Sequence, residues 1–227
     1  MRILISKMNS NPVKNQSPRV SILWICLVLL FVSFFQYFDV LHWSVLTPWG
    51  PDLANCSIRP HDTSVFLAQF FGPFLHGNLE HFLGNFTSLV VLSVLFIVLF
   101  PNRWLMFWVL QHILSIVLLW LIGSPHTSHI GASLWVYAFS FFLITTGVIH
   151  RDKATLSVMF MVFVWMGGFI WGLLPIDPKV SWEGHIAGSI AGVVLALSLG
   201  LRWRRKQPAK LQAPDDPYMQ FDVNHEA

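Results

Sequence analysis

The stretch "HIGASLWVYAFSFFLITTGVI", residues 129 to 149, decides the fold. From residue 130 onward it carries no charged side chain. Its length is close to the ~20 residues that a helix needs to cross the hydrocarbon core of a bilayer. Backbone groups in hydrocarbon must be paired internally, so the stretch is predicted to be a membrane-spanning helix over 130–149. A serine and a histidine stand at its entrance, next to the apolar interior.

Five further apolar stretches follow the same logic, at roughly 20–38, 82–100, 104–122, 155–174 and 185–201. The last is short alone and reaches full length with the residues just before it. The 227 residues are 55% hydrophobic and 11% charged, with 20 Phe and 11 Trp, which is too apolar for a soluble domain of this size. The composition therefore predicts an all-α, polytopic membrane protein of six transmembrane helices. Three parts are expected: a cytoplasmic leader over 1–19, a membrane domain over 20–201 and a basic, polar tail over 202–227. The first span follows a basic leader and shows no small-residue cleavage site, so it reads as a retained signal anchor.

Twelve of the 14 Lys and Arg residues lie in the leader, in the loops at 101–103 and 150–154, and in the tail; Arg59 and Lys179 fall in the opposite loops. The positive-inside rule places both termini in the cytoplasm. The run "RWRRK" at 202–206 suits the anionic inner leaflet and implies no nucleic-acid partner. With no organelle-targeting signal evident, the expected compartment is the inner membrane of a bacterial cell. Cys26, within the first span, and Cys56, in the first outer loop, are not expected to pair. "NCS" at 55–57 fits a glycosylation acceptor of the eukaryotic secretory route.

This topology sends the second, fourth and sixth spans inward from the outer face, so their first turns share one depth. They open with "HGNLEHFLGN", "HIGASLWVY" and "WEGHIAGSIAG". If the fourth span enters near Ser128, Ser133 lies about five residues in, or roughly 8 Å. His185 begins the sixth span, where an ionisable side chain marks a candidate functional site. Burial keeps an imidazole neutral, as a general base must be. A serine near a helix N-terminus meets positive potential where negative charge develops.

No Asp or Glu falls inside the six predicted spans, so the pair reads as a dyad. Glu183 precedes His185 by two residues and points to another face. His81 and Asn85 share one face of the second span and, with the Ser133 N–H, make a candidate oxyanion hole. His76 is read as holding the loop that enters this span. Gly184, Gly188 and Gly192, beside Ala187 and Ala191, form a stripe that lets a neighbouring helix approach closely.

The motifs "HGNLEHFLGN", "GAS" followed four residues later by Tyr137, and "GHIAG" together resemble the rhomboid family of intramembrane serine proteases. Each motif is weak alone; their order and their placement at matching span ends carry the resemblance over about 20–201. It implies that Ser133 is the nucleophile and His185 its base, and that Gly131 shapes the turn before the serine. It further implies that His81 and Asn85 stabilise the oxyanion, that His76 supports them and that Tyr137 stacks on the imidazole in place of a carboxylate. The first outer loop, 39–75, would resemble the family's partly submerged loop, and the fifth span its substrate gate. No cofactor or metal is implied; the partners are transmembrane-helix substrates and the lipid bilayer.

One departure stands out. Leu134 follows the serine, where the family usually has glycine or another small residue, and its bulk is expected to affect the substrate pocket or the contact with the sixth span. A catalytically inactive relative that binds or escorts membrane proteins would carry much the same sequence. Seven histidines (His42, His61, His76, His81, His126, His129, His185) lie toward the outer face, which raises a metal or haem carrier. His76 and His81 are five apart and no HExxH occurs, so the spacing opposes it. A transporter would show midplane charges or internal repeats, and the sequence has neither. His112, mid-span, is expected to pair across helices.

Overall fold

The computed structural model describes residues 56–203 apart from residue 65. The leader, the first span with Cys26, His42, Asn55 of the "NCS" triplet and the tail from residue 204 lie outside the described residues. Among the described residues the chain is helical, with α1 Leu79–Leu99, α2 Trp104–Ile122, α3 Ser133–His150, α4 Lys153–Trp165 and α5 Trp182–Leu195. The 3-10 helices Ala68–Phe74 and Phe169–Leu173 precede α1 and follow α4, and a π-helical turn, Ala196–Gly200, prolongs α5.

Helices α1, α2 and α3, and α5 with its π turn, are each long and apolar enough to cross a membrane. Their outward faces carry large bare side chains, such as Leu105, Val109 and Ile113 at successive turns of α2. Such a surface suits lipid rather than water. The bundle is thus an all-α, polytopic membrane protein.

Local chemistry sets the helix starts. The Asn78 side chain caps α1 by accepting the His81 N–H at 2.8 Å, and Asp152 caps α4 through the N–H groups of Ala154 and Thr155 at 3.0 Å. These bonds satisfy donors that a first turn leaves orphaned. The polar first turns therefore belong to the helices, and α1 begins at Leu79 and α5 at Trp182, three residues before the apolar stretches do. By contrast α3 begins at Ser133, three residues later than predicted, because 129–132 is drawn into a loop.

The predicted fifth span is corrected most. Its helix ends at Trp165, ahead of Gly167 and Gly168, and the remaining apolar residues fold as a turn and the 3-10 helix. Thirteen residues rise only ~20 Å, so α4 alone falls short of the hydrocarbon core.

Helices α3 and α5 form the interior: 67% and 61% of their spans are buried, against 33% for α1 and α2. They run parallel with their backbones in contact. A Cβ added to Gly188 would meet the Leu134 carbonyl oxygen, and one added to Gly192 the Ala138 carbonyl. Lower in the bundle, a Cβ at Gly200 would come 2.9 Å from Thr146 Cγ2. The inner half is then filled by aromatic rings, with Phe107 4.7 Å from Phe96 and from Phe139 and 4.5 Å from Phe142.

Gly188→Ala should therefore lower the thermal unfolding midpoint in detergent, by the equivalent of about 2 kcal/mol or more, since a methyl there displaces backbone. Gly84→Ala, whose Cβ would meet nothing within 4 Å, should leave the midpoint unchanged or slightly raised.

Candidate active site

At the end of the bundle where α1, α3 and α5 begin, a cleft of about 1230 Å³ is lined by His81, Asn85, His129, Ser133, Tyr137 and His185 among others. Ser133 is the first residue of α3 rather than five residues inside it, so its hydroxyl stands at the positive end of the helix. The first-turn N–H groups have no carbonyl of their own helix to bond.

The loop before Ser133 is pinned from three sides. His129 exchanges two backbone hydrogen bonds of 2.9 Å with Ile58, and Gly131 N–H donates to the Gly72 carbonyl at 3.1 Å. Ala132 N–H donates to His76 Nε2 at 3.3 Å. Gly131 has φ of 102°, and a Cβ there would lie 2.6 Å from the His81 ring, so glycine is required twice over.

His76 serves this loop rather than merely the entrance to α1. Its Nδ1–H donates to the Phe74 carbonyl at 3.2 Å, which leaves Nε2 free to accept from Ala132. Burial pushes its pKa down to about 4; the neighbouring His81 adds to the shift and the Phe74 carbonyl opposes it.

His185 is buried in the first turns of α5. Its Nδ1–H donates to the Gly172 carbonyl at 2.8 Å, so Nε2 carries the lone pair. The Tyr137 ring stacks on it at 4.1 Å and 12°, and is itself fixed by its hydroxyl on the Phe169 carbonyl at 2.5 Å. Both acceptors belong to the 3-10 helix after α4. Ser133 and His185 share the cleft wall, and no hydrogen bond links them.

Asn85 and His81 reach the same place from α1. A Cβ on Gly131 would lie 3.5 Å from Asn85 Nδ2, and this nitrogen is buried without a hydrogen-bond partner. Leu134 is 3% exposed and packs in the core, and it does not line the cleft. His112 packs edge-on against Trp135 across the α2–α3 interface at 5.4 Å.

Two features escape the sequence. With α5 starting at Trp182, Glu183 is a buried carboxylate inside a helix, contrary to the expectation that the spans hold none. It bonds Ser124 and lies 3.2 Å from His129 Nε2, not beside His185. The orienting group on His185 is a backbone carbonyl, which leaves no mark on the side-chain pattern.

A rhomboid domain model matches residues 65–202. Uncharacterized proteins of Mycobacterium bovis and Mycobacterium tuberculosis are each 32% identical to this chain over 169 residues, covering 71% of it and 70% of theirs. An uncharacterized protein of Mycobacterium leprae is 31% identical over 173 residues, covering 73% of this chain and 68% of its own. No solved structure matches the chain.

The His76 pKa predicts a pH dependence of stability. Its folded value, about 4, lies below the unfolded 6.5, so its stabilisation is full above pH 6.5 and is lost as the pH falls through about 4. Unfolding midpoints measured across this window should fall more steeply for the wild type than for His76→Gln, whose side chain keeps an acceptor for Ala132 and does not titrate.

Proposed function

The chain belongs to the rhomboid family and is a membrane-embedded protein, and from that premise we propose that it is an intramembrane serine protease that cleaves transmembrane segments of other membrane proteins. Ser133 is the nucleophile and His185 the general base. The observation that carries this is the shared cleft: a serine at a helix N-terminus, an imidazole with Nδ1 occupied and Nε2 free, and an unpaired amide donor at Asn85.

His185 Nε2 takes the Ser133 proton as Oγ attacks the peptide carbonyl. The resulting oxyanion is met by the Ser133 N–H, Asn85 Nδ2–H and His81. The imidazolium then protonates the departing amine, which leaves an acyl-serine ester that water hydrolyses by the reverse proton path. Tyr137 and Gly172 hold the ring, while His76 and Gly131 hold the loop. No metal enters the scheme.

Leu134 was the one feature that favoured an inactive escort. Its side chain packs away from the cleft, so it gives no reason for inactivity. The charge asymmetry of the loops supports cytoplasmic termini in a bacterial inner membrane, with a six-span domain over 20–201 between a leader and a tail. Substrate helices must unwind at the cleft, so those with small or helix-breaking residues near the outer face are favoured.

Purified wild type should cut a labelled transmembrane substrate and react with a fluorophosphonate whether or not a chelator is present, and Ser133→Ala should do neither. Equal cleavage by both would reject the proposal. Asn85→Ala should lower kcat by about 10²–10³-fold. Leu134→Gly should destabilise the fold by about 2–5 kcal/mol through the cavity it leaves, with the cleavage position unchanged.

A further inference from the structure

A second cluster of polar side chains lines the same cleft, on the loop before α3 and at the start of α5. His129 precedes Ser133 by four residues and Ser181 precedes His185 by four, so both pairs are 52 positions apart. Helices α3 and α5 run parallel at a constant offset, with Leu134 on Gly188, Ala138 on Gly192 and Thr146 beside Gly200. A bond between residues 129 and 181 has the same 52-residue spacing as the 133 and 185 pair, and it ties the loop before α3 to the N-cap of α5.

That bond is present: His129 Nδ1 and Ser181 Oγ are 2.7 Å apart. On the other side of the ring, Nε2 lies 2.8 Å from Thr127 Oγ1 and 3.2 Å from Glu183 Oε2. Glu183 also accepts the Ser124 N–H, at 3.1 Å and 3.2 Å to its two oxygens, and the Ser124 hydroxyl. Thr127 spends its own proton on the Ser124 carbonyl at 2.6 Å, so its oxygen serves as an acceptor.

These partners fix every bond direction. The carboxylate accepts only, so Nε2 carries the hydrogen, and Nδ1 is left to accept from Ser181. His129 and Glu183 are 8% and 6% exposed and stand with Ser181 at the cleft wall. Ser181 occupies the N-cap position of α5 yet caps no N–H, the task a serine normally performs there. Its hydroxyl is committed to His129 instead.

We propose that Glu183, His129 and Ser181 form a register clamp: Glu183 orients His129, His129 holds Ser181, and this bond sets Ser133 against His185. They are positioning residues that never touch the substrate bond. The clamp rests on the protease mechanism proposed above, and it places the buried carboxylate on a second histidine rather than on the base. A nucleophile on a first turn moves with its loop, and displacements near 1 Å can cost about 10²-fold in rate.

The full-length chain in lipid vesicles, assayed on a labelled transmembrane substrate, tests this. Ser181→Ala should lower kcat by roughly 10- to 100-fold with KM within about twofold, and fluorophosphonate labelling of Ser133 should slow by the same factor. The unfolding midpoint should stay close to that of the wild type. Ser181→Thr, which keeps the hydroxyl, should recover most of the rate, and Glu183→Gln should reproduce the loss.

Wild-type kcat in Ser181→Ala, a change confined to KM, or failure of Ser181→Thr to recover would each overturn the clamp. So would labelling of Ser181 in Ser133→Ala, which would make it a nucleophile. An active Ser133→Ala would instead defeat the protease mechanism itself, so the two failures are distinguishable.

Discussion

The bundle depends on one contact, the approach of α3 and α5 to backbone distance. The carbonyls of Leu134 and Ala138 occupy the space where Gly188 and Gly192 would carry side chains. Helices gain little from burying apolar surface away from lipid, so close packing of this kind must supply much of their association. It also fixes their relative height. Once 134 is set on 188, residue 133 stands level with 187, and the Ser133 and His185 side chains open onto one cleft. The rest of the site is arranged around that contact.

The broken fifth span follows from the same arrangement. In an unbroken helix the Gly172 carbonyl would point along the helix axis and accept an N–H four residues further on. Ending α4 at Trp165 and turning the chain into a short 3-10 helix frees that carbonyl for His185 and the Phe169 carbonyl for Tyr137. A neutral acceptor fixes the tautomer of the imidazole without taking a second charge out of water, a step that is costly in a low-dielectric setting. The buried carboxylate, Glu183, sits where Ser124 and His129 can satisfy it.

Much of this was legible in the sequence. The third span was predicted to the residue, because continuous apolar side chains with polar flanks leave little freedom. The motifs marked the polar end of the bundle, and the glycine stripe marked its closest contact. Helix starts are hard to read because capped first turns are polar: the apolar run of α5 begins at His185, three residues after the helix does, and Glu183 lies in between. The fifth span was overextended because Phe169, Ile170 and Trp171 stay apolar through the break at Gly167 and Gly168. Backbone acceptors such as Gly172 have no sequence signature. The His129–Ser181 pair does have one, a spacing of 52 residues that matches the dyad.

The two halves of the molecule divide the labour. Below the dyad, interlocked rings of Phe96, Phe107, Phe139 and Phe142 make a core with little freedom to shift. Above it, polar groups are held by directional bonds that can be satisfied in only one register. Asn85 stands at the boundary with a buried amide hydrogen-bonded to nothing, an arrangement that costs about 1–3 kcal/mol in a folded protein. A transition state that places negative charge on a carbonyl oxygen at that spot would repay it.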